Sequence, residues 1–224
     1  MQASEDLAGL SKHESVYRTI RERILNGSYG PGKRLVLSAI ARDLEVSPVP
    51  VREAIRRLEA ESLVTFERNV GARVSTLDDE AWEQLVEMLA LLDGYAVTRA
   101  QPRLTPAVLK KAQGFNDALR RHASVPVDHD QVMGLHRSFH RTIYALADNE
   151  YLVDSLDRLW DRIDASRVLA SRWPAKRLAS AVEEHDDLLR QLRSGDVELA
   201  ELERCTRQHS LNAIIAIRGQ GRFS

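Results

Sequence analysis

The chain has 224 residues, of which 43% are hydrophobic and 29% charged, with a formal net charge of -1, enough length for one large domain or two small ones. A single cysteine, Cys205, excludes an internal disulfide framework. The acidic start MQASEDLAGLSK lacks the apolar stretch of a signal peptide, and no apolar run approaches the roughly 18 residues that cross a bilayer. These features predict a soluble cytoplasmic protein with no membrane partner. The charge is uneven: residues 12–75 hold 12 Lys/Arg against 8 Asp/Glu, and residues 76–224 hold 20 against 23. A basic head on a mildly acidic body suits an anionic partner for the head.

In chain order, Val16, Ile20 and Ile24 lie four apart within residues 14–26 and predict a helix that stops at Gly27. The segment YGPGKRL reads as a turn-rich link. A short helix is expected at 38–45, capped by Ser38, with Ile40, Ala41 and Leu44 inward. After the tight turn EVS, a third helix begins with Ser47 as cap and Pro48 as its first residue. It buries Val51, Ala54, Ile55 and Leu58 and presents Arg52, Arg56 and Glu59 on the opposite side. Residues 63–66 and 72–74 read as two strands around a turn that holds Asn69 and Gly71. Helices are then expected from a cap at Thr76 or Asp78 through residue 100, and near 107–122, 131–147, 151–170, 175–194 and 197–217. The fold class is therefore mostly α: an N-terminal winged helix-turn-helix (three helices plus a β-hairpin wing) over residues 12–76, then an all-α bundle of about six helices over 78–218.

A helix-turn-helix places the start of its second helix in the major groove, where polar side chains reach base edges. Proline is tolerated at Pro48 and Pro50 because the first helical N–H groups have no intrahelical partner. Those prolines also remove donors for a phosphate, so Ser47, Arg52, Arg56 and the wing carry the contact. In the body, His136 and His140 lie four apart on one predicted helix face, a spacing that suits a divalent transition metal and equally two hydrogen-bonded core residues. Trp82, Trp160 and Trp173 read as core or interface residues, and Cys205 as an inert thiol.

IRERILNGSYGPGKRL, IARDLEVSPVPVREAIRRLEAESLV and RNVGARV together resemble the winged helix of GntR-type transcriptional regulators over residues 14–75. The resemblance implies DNA contact by Ser47 and Arg52, with Gly71 at the wing tip. Three positions depart from the family pattern: Pro48 and Ser38 replace arginines and Val49 a threonine, which leaves Val49 an apolar contact with a thymine methyl. FHRTIYALADNEYL, EEHDDLLRQLRSGD and TRQHSL resemble the all-helical FCD effector domain of the FadR-type branch. That resemblance implies a divalent metal held by an aspartate and three histidines, which helps bind a small carboxylate. His140, His185 and His209 stand at the three histidines and His136 at the aspartate; an all-histidine set favours zinc or nickel over manganese. Leu89 stands where an arginine often meets the effector carboxylate. Asp93, Arg141 and Asn149 are candidates for the effector pocket, or else packing and surface residues.

The resulting expectation is a ligand-responsive repressor. It binds a two-fold double-stranded DNA operator as a homodimer and senses a small metabolite, an organic acid by resemblance, through a population shift. Two alternatives stand beside it. One is a constitutive DNA-binding dimer whose sensor site has decayed. The other is a metal-dependent hydrolase using the histidine cluster, against which the His-Arg-Ser-Phe-His pair lacks an intervening glutamate.

Overall fold

The computed structural model describes residues 11–68, 70–122, 129–168 and 174–219. The chain separates into two compact units, one formed by residues up to Thr76 with Asp164–Arg167 and the other by the rest.

In the first unit, α1 (Lys12–Leu25) opens on Ser11, whose Oγ accepts the Glu14 N–H at 3.2 Å. α2 (Leu37–Asp43) begins one residue before the expected start, with Val36 rather than Ser38 at the cap position. The reason is local: the Leu35 N–H is bonded to the Ala72 carbonyl at 2.8 Å, which keeps the chain extended until Val36. Ser38 is left exposed on the first turn of α2. Glu45, at φ 53°, makes the tight turn into α3 (Pro48–Ala60). There Ser47 is the N-cap residue without a side-chain cap bond, Pro48 opens the helix, and Pro50 packs inward with Val51, Ala54, Ile55 and Leu58. Those residues join Val16, Ile20, Ile24 and Leu63 in one core, each large aliphatic side chain contributing about 1.5–3 kcal/mol by burial.

β1 (Val64–Glu67) and β2 (Gly71–Val74) pair antiparallel, Val64 opposite Val74 and Glu67 opposite Gly71. Gly71 has φ 96°, which a side chain would strain. The turn residue Asn69 lies outside the described residues. The segment read as a mere link also corrects the expectation. Residues 32–35 lie along β2, through the Gly32 N–H to the Val74 carbonyl, the Val74 N–H to the Lys33 carbonyl and an Arg34–Arg73 bridge.

In the second unit, α4 (Asp79–Ala100) is capped by Asp78, whose Oδ1 accepts the Ala81 N–H at 2.8 Å. After a 3-10 turn at Gln101–Arg103 come α5 (Pro106–His122), α6 (His129–Tyr144), α7 (Glu150–Ser166), α8 (Ala175–Ser194) and α9 (Leu199–Arg218). These are six helices among the described residues. α6 ends three residues earlier than expected, in i→i+3 turns at Leu146 and Ala147 followed by Asp148 at φ 53°. α7 stops at Ser166 instead of residue 170, because Arg167 turns left-handed at φ 59°. Trp82 and Trp160 are buried in the main core; Trp173 lies outside the described residues. α4 and α9 cross at Gly94, where an added Cβ would sit 3.0 Å from the Glu203 carbonyl oxygen. A second core around Phe139, Ile143 and Leu189 packs α5, α6, α8 and α9 together.

Candidate metal centre and nucleic-acid interface

On the first unit, the outward side of α3 starts with Ser47, Pro48 and Val49, all exposed, and continues with Arg52 and Arg56. Val49 is 57% exposed. Arg56 lies 3.4 Å from Glu53, a surface pair that leaves it displaceable. Arg57 is used differently. Its guanidinium stacks 3.6 Å from the Tyr17 ring centroid and pairs with Glu14 at 2.9 Å and Glu61 at 3.3 Å. The Tyr17 hydroxyl donates to both Glu61 oxygens at 2.8 Å, and burial followed by Glu61 pushes that phenol up to about 12. Arg57 and Tyr17 thus fix α3 against α1, while Arg52 and Arg56 remain for an external partner. Sequence reasoning missed Lys33 and Arg34, exposed on the strand-like segment beside the wing. The Lys-Arg pair just before buried Leu35 was the available signal.

On the second unit, α6 brings His136 and His140, α8 His185 and α9 His209 to one buried place, with ligand atoms all within 4.8 Å of one another. Four Nε2 separations are short: His136–His209, His140–His209 and His185–His209 at 3.2 Å, and His140–His185 at 3.3 Å. The outer nitrogens decide what these short distances mean. Glu184 Oε2, which also accepts from Arg177, lies 2.5 Å from His209 Nδ1, so that Nδ1 donates; Asp93 Oδ2 lies 2.9 Å from His140 Nδ1 in a fully buried contact. Asn116 donates its amide to the Val182 carbonyl at 3.0 Å and to Asp186 at 2.9 Å, which turns its Oδ1 towards His185 Nδ1 at 3.0 Å. Nδ1 of His185 is therefore also a donor.

The Nε2 atoms of His185 and His209 consequently carry bare lone pairs, and lone pairs at 3.2 Å cannot hydrogen-bond to one another. A cation between them satisfies both at once. Burial, followed by the neighbouring imidazoles and Arg177, holds His136 and His185 well below the usual histidine value; burial, then His140 and Arg177, does the same for His209. All three are thus kept in the neutral form that ligates a metal. Imidazole donors of this kind suit a divalent transition metal.

The three effector-pocket candidates separate. Asp93, fully buried, holds His140. Arg141 turns to Asp157, with Nε and Nη2 each donating at 2.9 Å, and Asn149 Oδ1 accepts the Leu152 N–H at the start of α7. Arg141 follows His140 by one residue, about 100° round the helix, which explains its different direction. Asn116 and Glu184 were not foreseen. Arg177, 5% exposed, donates to Glu184 at 2.8 Å and to the His209 carbonyl at 2.8 Å. A cavity of about 20 Å³ adjoins His136 and His209, lined also by Leu89, Trp160 and Arg177. A recess of about 170 Å³ between α8 and α9 includes Glu184, His185, Cys205 and Asn212. Burial and then Glu201 raise the Cys205 thiol, in keeping with an inert residue.

Comparison with known proteins gives two family matches: the gntR family of bacterial regulatory proteins over residues 12–74, and the FCD domain over residues 83–212. The probable D-xylose utilization operon transcriptional repressor of Paenarthrobacter nicotinovorans is 30% identical over 176 residues, 75% of this chain and 75% of that protein. The HTH-type transcriptional repressor GlaR of Escherichia coli is 26% identical over 174 residues, 76% of this chain and 79% of that protein. Escherichia coli McbR/YncC superposes with a TM-score of 0.80 at 23% identity, covering 94% of this chain and 99% of that one, a likeness of fold.

Proposed function

Because this chain belongs to the gntR family of bacterial regulatory proteins and carries an FCD domain, and is therefore a DNA-binding transcriptional regulator and not an enzyme, we propose how its parts divide that work. Residues 12–76 read a two-fold operator as one half of a homodimer. Residues 78–218 dimerise and act as the sensor, with a divalent transition metal at His136, His140, His185 and His209. The polarity is repression, the role named for two of its relatives. The protein works in the cytoplasm, where its operator is.

The observation that carries the sensor reading is the convergence of four buried imidazoles, three of which have an outer nitrogen against Asp93, Asn116 or Glu184. When bound, the cation would supply the positive charge that the inward nitrogens need, and Asn116 and Glu184 fix His185 and His209 in the ligating tautomer. For DNA, Arg52 and Arg56 contact base edges or phosphates from the first turns of α3, and Ser47, Val49, Ser38 and the wing at Gly71 complete the surface. Dimerisation is supported by an apolar stripe on α4, where Met88, Leu91 and Tyr95 are 50%, 44% and 45% exposed, and by Ile215 on the neighbouring α9 at 63%. A single recognition helix covers too little DNA for high specificity, so a second copy is required.

Selection of bound DNA from a random pool tests the reading with the full chain. A recovered site with two-fold symmetry, half-sites about one helical turn apart, is expected. A pool that yields no enriched sequence, or a protein that elutes as a monomer at the concentration of half-saturation, would sink it.

A further inference from the structure

We infer that the tip of α3 is a methyl reader: Pro48 and Val49 recognise the C5-methyl group of a pyrimidine in each operator half-site, and affinity depends on that methyl. This rests on the DNA-binding reading above and names what the tip selects.

The tip has lost the donors that a helix start usually offers. An N-terminus aimed at DNA ordinarily presents free backbone N–H groups and a polar cap. Here Pro48 and Pro50 fill the first and third helical positions and have no N–H. Ser47 stands at the N-cap without a side-chain bond, since the N–H that a cap takes at the third position is missing at Pro50. Residues 48–51 read Pro-Val-Pro-Val, so the whole first turn contains no polar side-chain atom.

Half of that turn is turned outward. Pro50 and Val51 pack into the core, with Val51 at 0% exposure, whereas Pro48 is exposed and Val49 is 57% exposed. Two adjacent apolar side chains therefore form the leading surface of the helix. α2 opens alike on Val36, 45% exposed at its cap position and making no cap bond. The first guanidinium on the outward side is that of Arg52, about 4.5 Å farther along the axis than Val49.

Base edges in the major groove present hydrogen-bond donors and acceptors and one apolar group, the C5-methyl of thymine. An arginine at the tip would take guanine O6 and N7; a proline and a valine have nothing to offer those acceptors. Discrimination by the tip therefore falls to the methyl, which cytosine also carries when methylated at C5. Valine suits the contact, because its branched side chain is stiff and loses little freedom on docking. Arg52 and Arg56 remain to read hydrogen-bonding edges or hold phosphates beyond it.

The test uses the full chain and the operator recovered by pool selection from unmodified DNA. Thymines of the half-site are replaced one at a time by deoxyuridine, which removes the methyl and keeps the pairing. In separate duplexes its cytosines are replaced by 5-methylcytosine. We expect one thymine whose replacement lowers affinity roughly 4-fold per half-site, the worth of one buried methyl group. Val49→Ser removes both γ-methyls from an exposed position, so it should keep the wild-type thermal midpoint and bring the thymine-to-uracil ratio to about 1. If 5-methylcytosine alone raises the affinity of wild type and not of Val49→Ser, the reader stands with methylated cytosine as its source. A ratio as large in Val49→Ser as in wild type overturns the inference while DNA binding stands. So does a wild type that responds to neither base change at any position. A pool with no enriched sequence removes the DNA reading and this inference with it.

Discussion

In the first unit Arg52 and Arg56 stand in solvent on α3, and Arg57, the next residue, is withdrawn to bind α3 to α1. In the second, the candidate groups are buried: His140 and His185 are 1% exposed, and Asp93 beside His140 is fully buried. On the function proposed above, the difference follows from the partner. A DNA duplex is large and already hydrated, so cations that meet it must reach outward and tolerate exchange with solvent. A metal ion is small and must be stripped of water, so its ligands are fixed in advance by neighbours that they cannot leave. Effects of substitution should accordingly be graded and additive on the surface, and cooperative in the interior.

The largest effect should come from His209→Ala. His209 is 3.2 Å from each of the other three Nε2 atoms, so its loss should weaken zinc binding by more than the roughly 10–100-fold usual for an outer partner. Retained affinity in competition with a chelating dye would place the metal elsewhere. Next, Arg52→Ala should lower affinity for the selected operator by about 1–3 kcal/mol, roughly 5–150-fold, and relax the base preference at one position per half-site. An unchanged preference would show that α3 is oriented differently on DNA. Asp93→Asn, which can still accept from His140 but carries no charge, should cost metal affinity about 10-fold with the fold intact, at the lower end of the outer-partner range. Equality with wild type would mean that only hydrogen bonding, not charge, matters there.

Gly94→Ala sharpens the comparison from the packing side. The new methyl meets the Glu203 carbonyl at 3.0 Å, so α9 must move, costing about 1–3 kcal/mol in urea unfolding. The last effect concerns pH. His136, His185 and His209 have folded values far below 6.5, so below about pH 6.5 the unfolded chain takes up protons that the folded chain refuses. Stability of the metal-free protein is therefore present above that value and lost as the pH falls, by at most about 1.4 kcal/mol per pH unit for each histidine. A thermal midpoint that does not change between pH 7.5 and 5.5 would contradict the burial of neutral rings.

Much of this was legible in the residues. The 3.6-residue apolar period of α1 and α3, the prolines at the start of α3 and Gly71 in the hairpin follow from backbone preferences that act locally. The histidines at 136 and 140 announced themselves because four residues return a helix to the same face. The break after α6 was expected at Asp148–Asn149, turn-forming residues, and Asp148 is left-handed there; the end of α7 was misjudged because Arg167, a residue type that marks no turn, makes the break. The pairing of residues 32–35 with β2 was likewise invisible, since it satisfies backbone groups and asks little of the side chains.

By itself, then, the sequence determined the order of elements, the two-part organisation and the His136–His140 pair, because each depends on neighbours within a turn or two; His185 and His209 came from the resemblance to the FCD domain. Tertiary structure alone decided which arginine of the Arg56–Arg57 pair is spent on packing, and which way each imidazole points. Those outcomes depend on Tyr17, Asp93, Asn116 and Glu184, which lie on other helices. A hydrogen bond between distant residues leaves no period in the chain, yet it is what turns the Nε2 atoms of His185 and His209 towards one point.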